Sequence, residues 1–225
     1  MRQACAGGTD ARPQAFLVDV YDTILTCDFE ALRTELPAIA GAGPREWAEA
    51  FARLGPDLSV GRITLTQAYR QVLAACGIAP RPALVRELLG KDRELLAASS
   101  RLHDDAIEFL RILRSRGVRV ALVSNCIENT RPMLSSLGVS ALADAVVLSC
   151  EAGCAKPDAR IYRQALDQLG VRAGAAVLVD DQPAFCAGAA AIGITALQIA
   201  RGHAPSPAAP GIKVIGSLLE AIQLL

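Results

Sequence analysis

From residue 118 onward, short apolar runs rich in β-branched residues alternate with stretches of helical periodicity. No other feature constrains the fold as strongly. The runs at 118–123, 145–148, 176–179, 194–199 and 212–215 are too short for helices and read as buried strands. Before and between them apolar residues recur at helical spacing, as in Ile107, Leu110 and Leu113 ahead of the first run and Ile161, Ala165 and Leu169 further on. Gly117, Gly138 and Gly170 follow the last apolar position of three such segments, where left-handed backbone commonly ends a helix. Parallel strands cannot be joined by a tight hairpin, so each strand needs a helical crossover, and crossovers are right-handed. The expected fold class is α/β: a doubly wound, Rossmann-like parallel sheet.

A further strand is expected far upstream, at 15–18. The intervening residues, 28–96, show no strand pattern and four helical ones. The first carries Phe29, Leu32, Leu36 and Ile39 and stops at Gly41. The second opens at Pro44, carries Trp47, Phe51 and Leu54, and is expected to end at Gly55-Pro56. Thr64 or Thr66 caps the third, which runs through Tyr69 and Val72 to Gly77. Pro82 opens the fourth. The expected organisation is a loose tail (1–14), an α/β core (15–27 plus 97–225) and an inserted helical cap (28–96). Within the core, Asp104 or Asp105 caps the helix after the return, and Thr130 and Pro132 start another. Pro157 is placed in the first turn of the helix through Leu169, and 184–192 is a helix of small residues suited to close packing. The proline-rich 202–210 is a surface loop, and a last helix spans 217–225.

Composition narrows the function classes. Lys+Arg and Asp+Glu are 23 each, so nothing electrostatic points to nucleic acid or an anionic membrane. No run approaches the roughly 18 apolar residues of a membrane span, and the start lacks the apolar core of a secretory signal. Seven cysteines with no Cys-x-x-Cys pair suit reduced thiols in the cytoplasm. Oligomeric state is not legible.

Chemistry-bearing residues fall where the expected strands end: Asp19, Asp22 and Thr23 after the first, Ser124 and Asn125 after the second, and Asp180 and Asp181 after 176–179. Lys156, one of only three lysines, precedes a helix start. Taken singly, each has an ordinary reading as a turn former, cap or solvated side chain. In an open parallel sheet, however, ligands bind beyond the carboxyl ends of the strands. Carboxylates gathered there repel one another unless a cation is present. Such a set suits nucleophilic attack by a carboxylate, with Mg²⁺ offsetting the charge of an anionic substrate.

The ordered set Asp19-Val-Tyr-Asp-Thr23, Val123-Ser124-Asn125, Lys156-Pro-Asp-Ala-Arg-Ile-Tyr162 and Val179-Asp180-Asp181 resembles the four motifs of the haloacid dehalogenase superfamily. The helical insertion after the first motif resembles the small cap of its phosphatases and 2-haloacid dehalogenases. The resemblance implies Asp19 as nucleophile, Ser124 as donor to the transferred group, and Lys156 holding nucleophile and intermediate by charge. It implies Mg²⁺ held by Asp19, Asp180, Asp181 and the backbone carbonyl of Tyr21. Thr23, Asn125 and Tyr21 are the expected substrate-binding residues, and the substrate is a small, anionic, phosphorylated metabolite.

Two departures from the phosphatase pattern leave alternatives open. Tyr21 stands where phosphatases carry the acid/base Asp, and a phenol with a reference pKa of about 10 is a poor base at neutral pH. An aromatic residue there, with Lys156 and Tyr162, resembles the 2-haloacid dehalogenases, which use no metal. Phe185 replaces an Asn or Asp of the phosphatase pattern, and with Tyr21 it also suits a ligand-binding or regulatory relative with little turnover. Asp22 replaces a Gly and reads best as a turn residue. Trp47, Tyr69, Arg45, Arg53 and Arg62 are the cap residues expected to line the pocket, although Trp47 and Tyr69 also lie on apolar helix faces.

Overall fold

The computed structural model describes residues 12–202 and 209–225. Most of the expected tail and of the 202–210 loop lies outside these residues. At the edge of the tail, the Gln14 N–H already donates to the Ala175 carbonyl at 2.8 Å.

In chain order the strands are β1 (Ala15–Val18), β2 (Leu25–Cys27), β3 (Ser100–Leu102), β4 (Arg119–Ser124), β5 (Ala145–Leu148), β6 (Ala176–Asp180), β7 (Thr195–Ile199) and β8 (Lys213–Ile215). Six of them form one parallel sheet in the order β5-β4-β1-β6-β7-β8. The order steps outward from β1 in both directions, which makes the sheet doubly wound and places β1 between β4 and β6.

Both faces of the sheet are covered, as near-continuous apolar strands require. Period-two alternation sends Phe16 and Val18 into one hydrophobic cluster and Ala15 and Leu17 into another. On the first face, Phe16 packs edge-on against Phe109 of α5 (Ala106–Ser115), with centroids 5.6 Å apart. On the second, α8 (Ala159–Leu169) buries Ile161, Tyr162, Ala165 and Leu166.

Helices α1 (Glu30–Ala40), α2 (Pro44–Ser59), α3 (Leu65–Ala75) and α4 (Pro82–Ser99) share a third cluster, which includes Trp47, Tyr69, Val72 and Leu88. Their ends follow local chemistry. Gly41 takes the left-handed conformation (φ 72°) after α1. Thr64 and Gln67 form a reciprocal capping box at the start of α3.

Several local expectations need correction. Gly55-Pro56 does not end α2, which continues to Ser59. A proline deprives the helix of one N–H, and burial of Leu58 on the next turn favours continuing. Pro157 is outside α8: Asp158 is the cap and accepts from the Arg160 N–H. Asp105 occupies the cap position of α5 but makes no cap bond, because its carboxylate is engaged by Arg201, Ser217 and the Leu218 N–H. The last helix is a single turn, α10 (Leu218–Ala221), followed by a 3₁₀ turn. The antiparallel pair β2–β3 is an element the sequence pattern did not announce.

Candidate active site at the sheet rim

Register explains why distant residues meet. Val18 of β1 pairs with Val179 of β6 and Leu122 of β4. The next residues are therefore Asp19 beside Asp180 on one side and Val123-Ser124 on the other, with strands about 4.8 Å apart. Asp19 keeps the ladder going through its N–H to the Val179 carbonyl at 3.0 Å, which fixes its backbone while its side chain lies beyond the sheet.

Lys156 enters from the loop before α8. Its Nζ donates to Asp19 Oδ1 and to Asp180 Oδ2, each at 2.6 Å, and its side chain is fully buried. Two contacts hold this loop. Asn125 clamps the Lys156 backbone, accepting its N–H at 2.7 Å and donating to its carbonyl at 2.9 Å. Behind it, α9 (Pro183–Ala190) brings Gly188 so close that a Cβ there would lie 2.7 Å from Pro157 Cβ. The Phe185 ring lies under the ammonium at 5.0 Å, and the Phe185 carbonyl accepts from the Tyr162 hydroxyl at 2.7 Å.

Asp181 completes the cluster: one carboxylate oxygen from each of Asp19, Asp180 and Asp181 lies within 4.8 Å of the others. Three carboxylates against one ammonium leave an excess of negative charge in a largely dry site. Burial pushes the Asp180 carboxyl up to about 7, opposed by Lys156 and aided by Asp19. Burial and the Asp19 charge push Asp181 up to about 6. Burial alone would lower the Lys156 ammonium, but the flanking Asp19 and Asp180 carboxylates more than offset it and keep the group charged. Hard oxygen donors and an uncompensated negative charge are what a divalent cation such as Mg²⁺ requires, so the residues present fit that ion.

The other expected site residues are distributed as follows. Ser124 and Thr23 are buried, and among the described residues Ser124 Oγ and Thr23 Oγ1 have no hydrogen-bond partner. Buried hydroxyls without partners are costly in a folded protein and are common where a ligand supplies the missing bond. The Thr23 carbonyl is held by Arg201 at 2.6 Å. Asn125, expected at the substrate, has both ends of its amide engaged with Lys156, which makes it a positioning group.

The Tyr21 side chain turns away from the carboxylates: its hydroxyl shares a 3.0 Å hydrogen bond with Thr130 Oγ1, and its ring packs against Phe29. Burial lifts the phenol far above its ordinary value, so it stays protonated. Asp22 is exposed and is the one non-glycine residue with positive φ (54°) among those described. Its presence where a glycine is usual follows from this turn, since Asp is among the few L residues that tolerate it.

Above the rim, between the helical layer and the sheet, lies a cavity of about 670 Å³. Trp47 and Tyr69 line it while remaining buried, whereas none of Arg45, Arg53 and Arg62 does. Arg45 instead pairs with Glu49, and Arg62 with Asp57, both in solvent. The lining cation is Arg33, which the sequence reading passed over. Asp92 is also in the wall, buried in α4 and bonded to the Tyr69 hydroxyl and the Asn129 amide. An acid on the apolar stripe of Val85, Leu88, Leu95 and Leu96 was a signal that could have marked it.

The sheet order and the rim cluster define a doubly wound α/β protein with a carboxylate-centred polar site on its central strands. More specifically, the chain belongs to the haloacid dehalogenase-like hydrolase family, whose model matches residues 13–193. Phosphoserine phosphatase of Thermus thermophilus is 33% identical over 162 residues, covering 68% of this chain and 61% of the phosphatase, so this chain spans less than two thirds of that relative. (S)-2-haloacid dehalogenase 1 of a Pseudomonas species is 31% identical over 224 residues, covering 94% of this chain and 96% of that enzyme. Among solved structures, a HAD family enzyme from Bacteroides thetaiotaomicron in complex with magnesium and inorganic phosphate superposes with a TM-score of 0.69 at 18% identity, covering 86% of this chain and 98% of that one, a likeness of fold. No helix among the described residues is long and apolar enough to cross a membrane.

Proposed function

We propose that this chain is a Mg²⁺-dependent phosphohydrolase that works through a covalent aspartyl-phosphate at Asp19 and acts on a small, anionic phosphorylated substrate. The observation that carries this reading is the gathering of three carboxylates at the end of β1, two of them paired with one buried ammonium. A metal-free dehalogenase gains nothing from three carboxylates set against a single ammonium.

Asp19 Oδ1 is held by Lys156, which leaves Oδ2 to attack phosphorus. The bond from phosphorus to the leaving oxygen breaks, and the Asp19–phosphorus bond forms. Water then attacks phosphorus and frees Asp19 and inorganic phosphate. The Lys156 ammonium stabilises the charge of the nucleophile and the intermediate, and the hydroxyl of Ser124 is available to the transferred group. Thr23 contributes a second buried hydroxyl. Held by Asp19, Asp180, Asp181 and the Tyr21 carbonyl, Mg²⁺ would supply positive charge against the phosphoryl oxygens.

Tyr21 is a poor source of a proton for the departing oxygen: its hydroxyl is engaged with Thr130 Oγ1, and its phenol is a far weaker acid than usual. Substrates whose leaving group departs readily as an anion, such as acyl phosphates and aryl phosphates, are therefore favoured. The helices of residues 28–96 serve as the cap that closes over the substrate, and the six free cysteines among the described residues suit the cytoplasm.

The test is phosphate release from an aryl phosphate. It should require Mg²⁺, stop with EDTA and be lost in Asp19→Asn. A second reading, a 2-haloacid dehalogenase, is favoured by Tyr21, Tyr162 and a full-length relative of that activity. It requires chloride release from 2-chloropropionate in the presence of EDTA. A binding protein with little turnover would do neither, yet would gain thermal stability from its ligand.

A further inference from the structure

The rim cluster accounts for the phosphoryl group but not for the cavity above it. That cavity is walled mainly by Phe29, Leu36, Trp47, Phe51, Tyr69 and Leu96, a lining far more apolar than a phosphorylated amino acid or hydroxy acid needs. Its polar side chains other than Arg33 are already engaged. Both Asp92 oxygens are taken by Tyr69 and Asn129, Tyr21 is bonded to Thr130, and Asn125 is bonded to Lys156. Arg33 is exposed. Away from the exposed Arg33, a leaving group bearing an ammonium or carboxylate would shed its water against this wall without recovering hydrogen bonds, which is strongly unfavourable.

One face of α2 shapes the cavity. Trp47 and Phe51 lie one turn apart, with centroids separated by 5.6 Å, and Phe51 meets Tyr69 edge-on at 5.3 Å. Beside these rings, the same turns present Ala48 and Ala52, small side chains that leave the volume open. At about 670 Å³ the space falls within the range of sites that enclose a whole organic ligand. Tyr21 and Asn125 belong to both the cavity wall and the neighbourhood of Asp19, so a molecule filling the cavity would present its phosphoryl end to the rim.

We infer that the substrate is an aryl phosphate whose ring system, of fused bicyclic size, stacks in the cavity against Trp47 and Phe51. This inference rests on the phosphohydrolase reading and names its substrate class. The leaving-group argument from Tyr21 admits small acyl phosphates equally, so the aromatic wall is what selects among them.

The experiment compares 1-naphthyl phosphate with acetyl phosphate, both of which have readily departing leaving groups, and follows 1-naphthylphosphonate binding through the fluorescence of Trp47, the only tryptophan. The expected result is a kcat/KM for the naphthyl ester at least about tenfold above that for acetyl phosphate, as burial of a ring system provides. The phosphonate should change Trp47 emission saturably. Ala52→Phe, on an exposed helix position that the core does not use, should lower the naphthyl-to-acetyl ratio at least tenfold. Hydrolysis of acetyl phosphate without phosphonate binding would overturn the aryl assignment and leave the phosphohydrolase reading standing. Saturable binding that Ala52→Phe blocks, with neither ester hydrolysed, would support the cavity assignment and overturn the phosphohydrolase reading. Equal kcat/KM values for the two esters would also overturn the inference.

Discussion

Lys156→Met removes the ammonium while nearly keeping side-chain length and volume, so packing losses are small. The charge consequences are not. In the parent, Nζ lies 2.6 Å from oxygens of both Asp19 and Asp180, and the Lys156 and Asp180 side chains are entirely out of water. Without it, two buried carboxylates with an oxygen each within 4.8 Å face one another uncompensated. Breaking a buried ion pair by deleting one partner costs about 3–5 kcal/mol. At about 2–4 °C per kcal/mol for a chain of this size, the melting temperature should fall by about 6–20 °C in metal-free buffer.

Two further results identify the cause. Adding Asp180→Asn to Lys156→Met should return more than half of the loss, because an amide carries no charge. Millimolar Mg²⁺ should raise the melting temperature of Lys156→Met, since any ion bound only by the folded state stabilises it. Melting followed by circular dichroism, with EDTA or Mg²⁺, measures all of this. The electrostatic account is refuted if the single variant melts within about 2 °C of the parent, or if the double variant is less stable than the single one.

Other outcomes follow from the same geometry. Tyr21→Asp should raise kcat on alkyl phosphates by about 10²-fold or more, the usual contribution of a positioned general acid, with a smaller gain on aryl phosphates; steady-state phosphate release on both classes checks it. Asp22→Gly should be neutral or stabilising by up to about 1 kcal/mol in a thermal melt, because it relieves the left-handed backbone at φ 54° while adding unfolded-state freedom. Asp105→Asn should cost about 1.5–3 kcal/mol at neutral pH through its charged hydrogen bonds to Arg201, Ser217 and Leu218. Burial alone would raise the Asp105 carboxyl, but these donors bring it below its ordinary value. Its contribution is therefore present above about pH 4 and lost as pH falls through the depressed value. Parent and variant should converge in acid denaturation.

Much of the sheet was legible because buried parallel strands have a plain signature: short β-branched runs that stop at a polar residue. That stop is also where the polar cluster gathers, so Asp19, Ser124 and Asp180 could be placed at strand ends from sequence alone. Other features depend on tertiary context. The three-residue strands β2 and β3 are too short to show a period, and pairing with each other defines them. The continuation of α2 through Gly55-Pro56 depends on the burial of Leu58 beyond them. Asp105 looks like a cap in sequence and becomes an ion-pair centre only because Arg201 and Ser217 come from nearly a hundred residues or more away. For Tyr21 the residue type pointed to a missing general acid, but where the hydroxyl points depends on Thr130, which is far away in the chain.

The β2–β3 ribbon has a mechanical corollary. The polypeptide leaves the rim immediately after Leu25 and comes back at Leu102, and those two residues face each other in the ladder. The whole excursion is thus moored at adjacent points, like a door hung from one jamb. Moving it would turn on this narrow band of backbone and part its other bonds to the core, Leu65 N–H to Glu128 and Asp92 to Asn129, without shearing the six-stranded sheet. On the proposal that residues 28–96 act as a cap, Cys27 and Ser100, which face each other at this jamb, are where stiffening or loosening the chain should alter the rate of opening without touching any group inside the cavity.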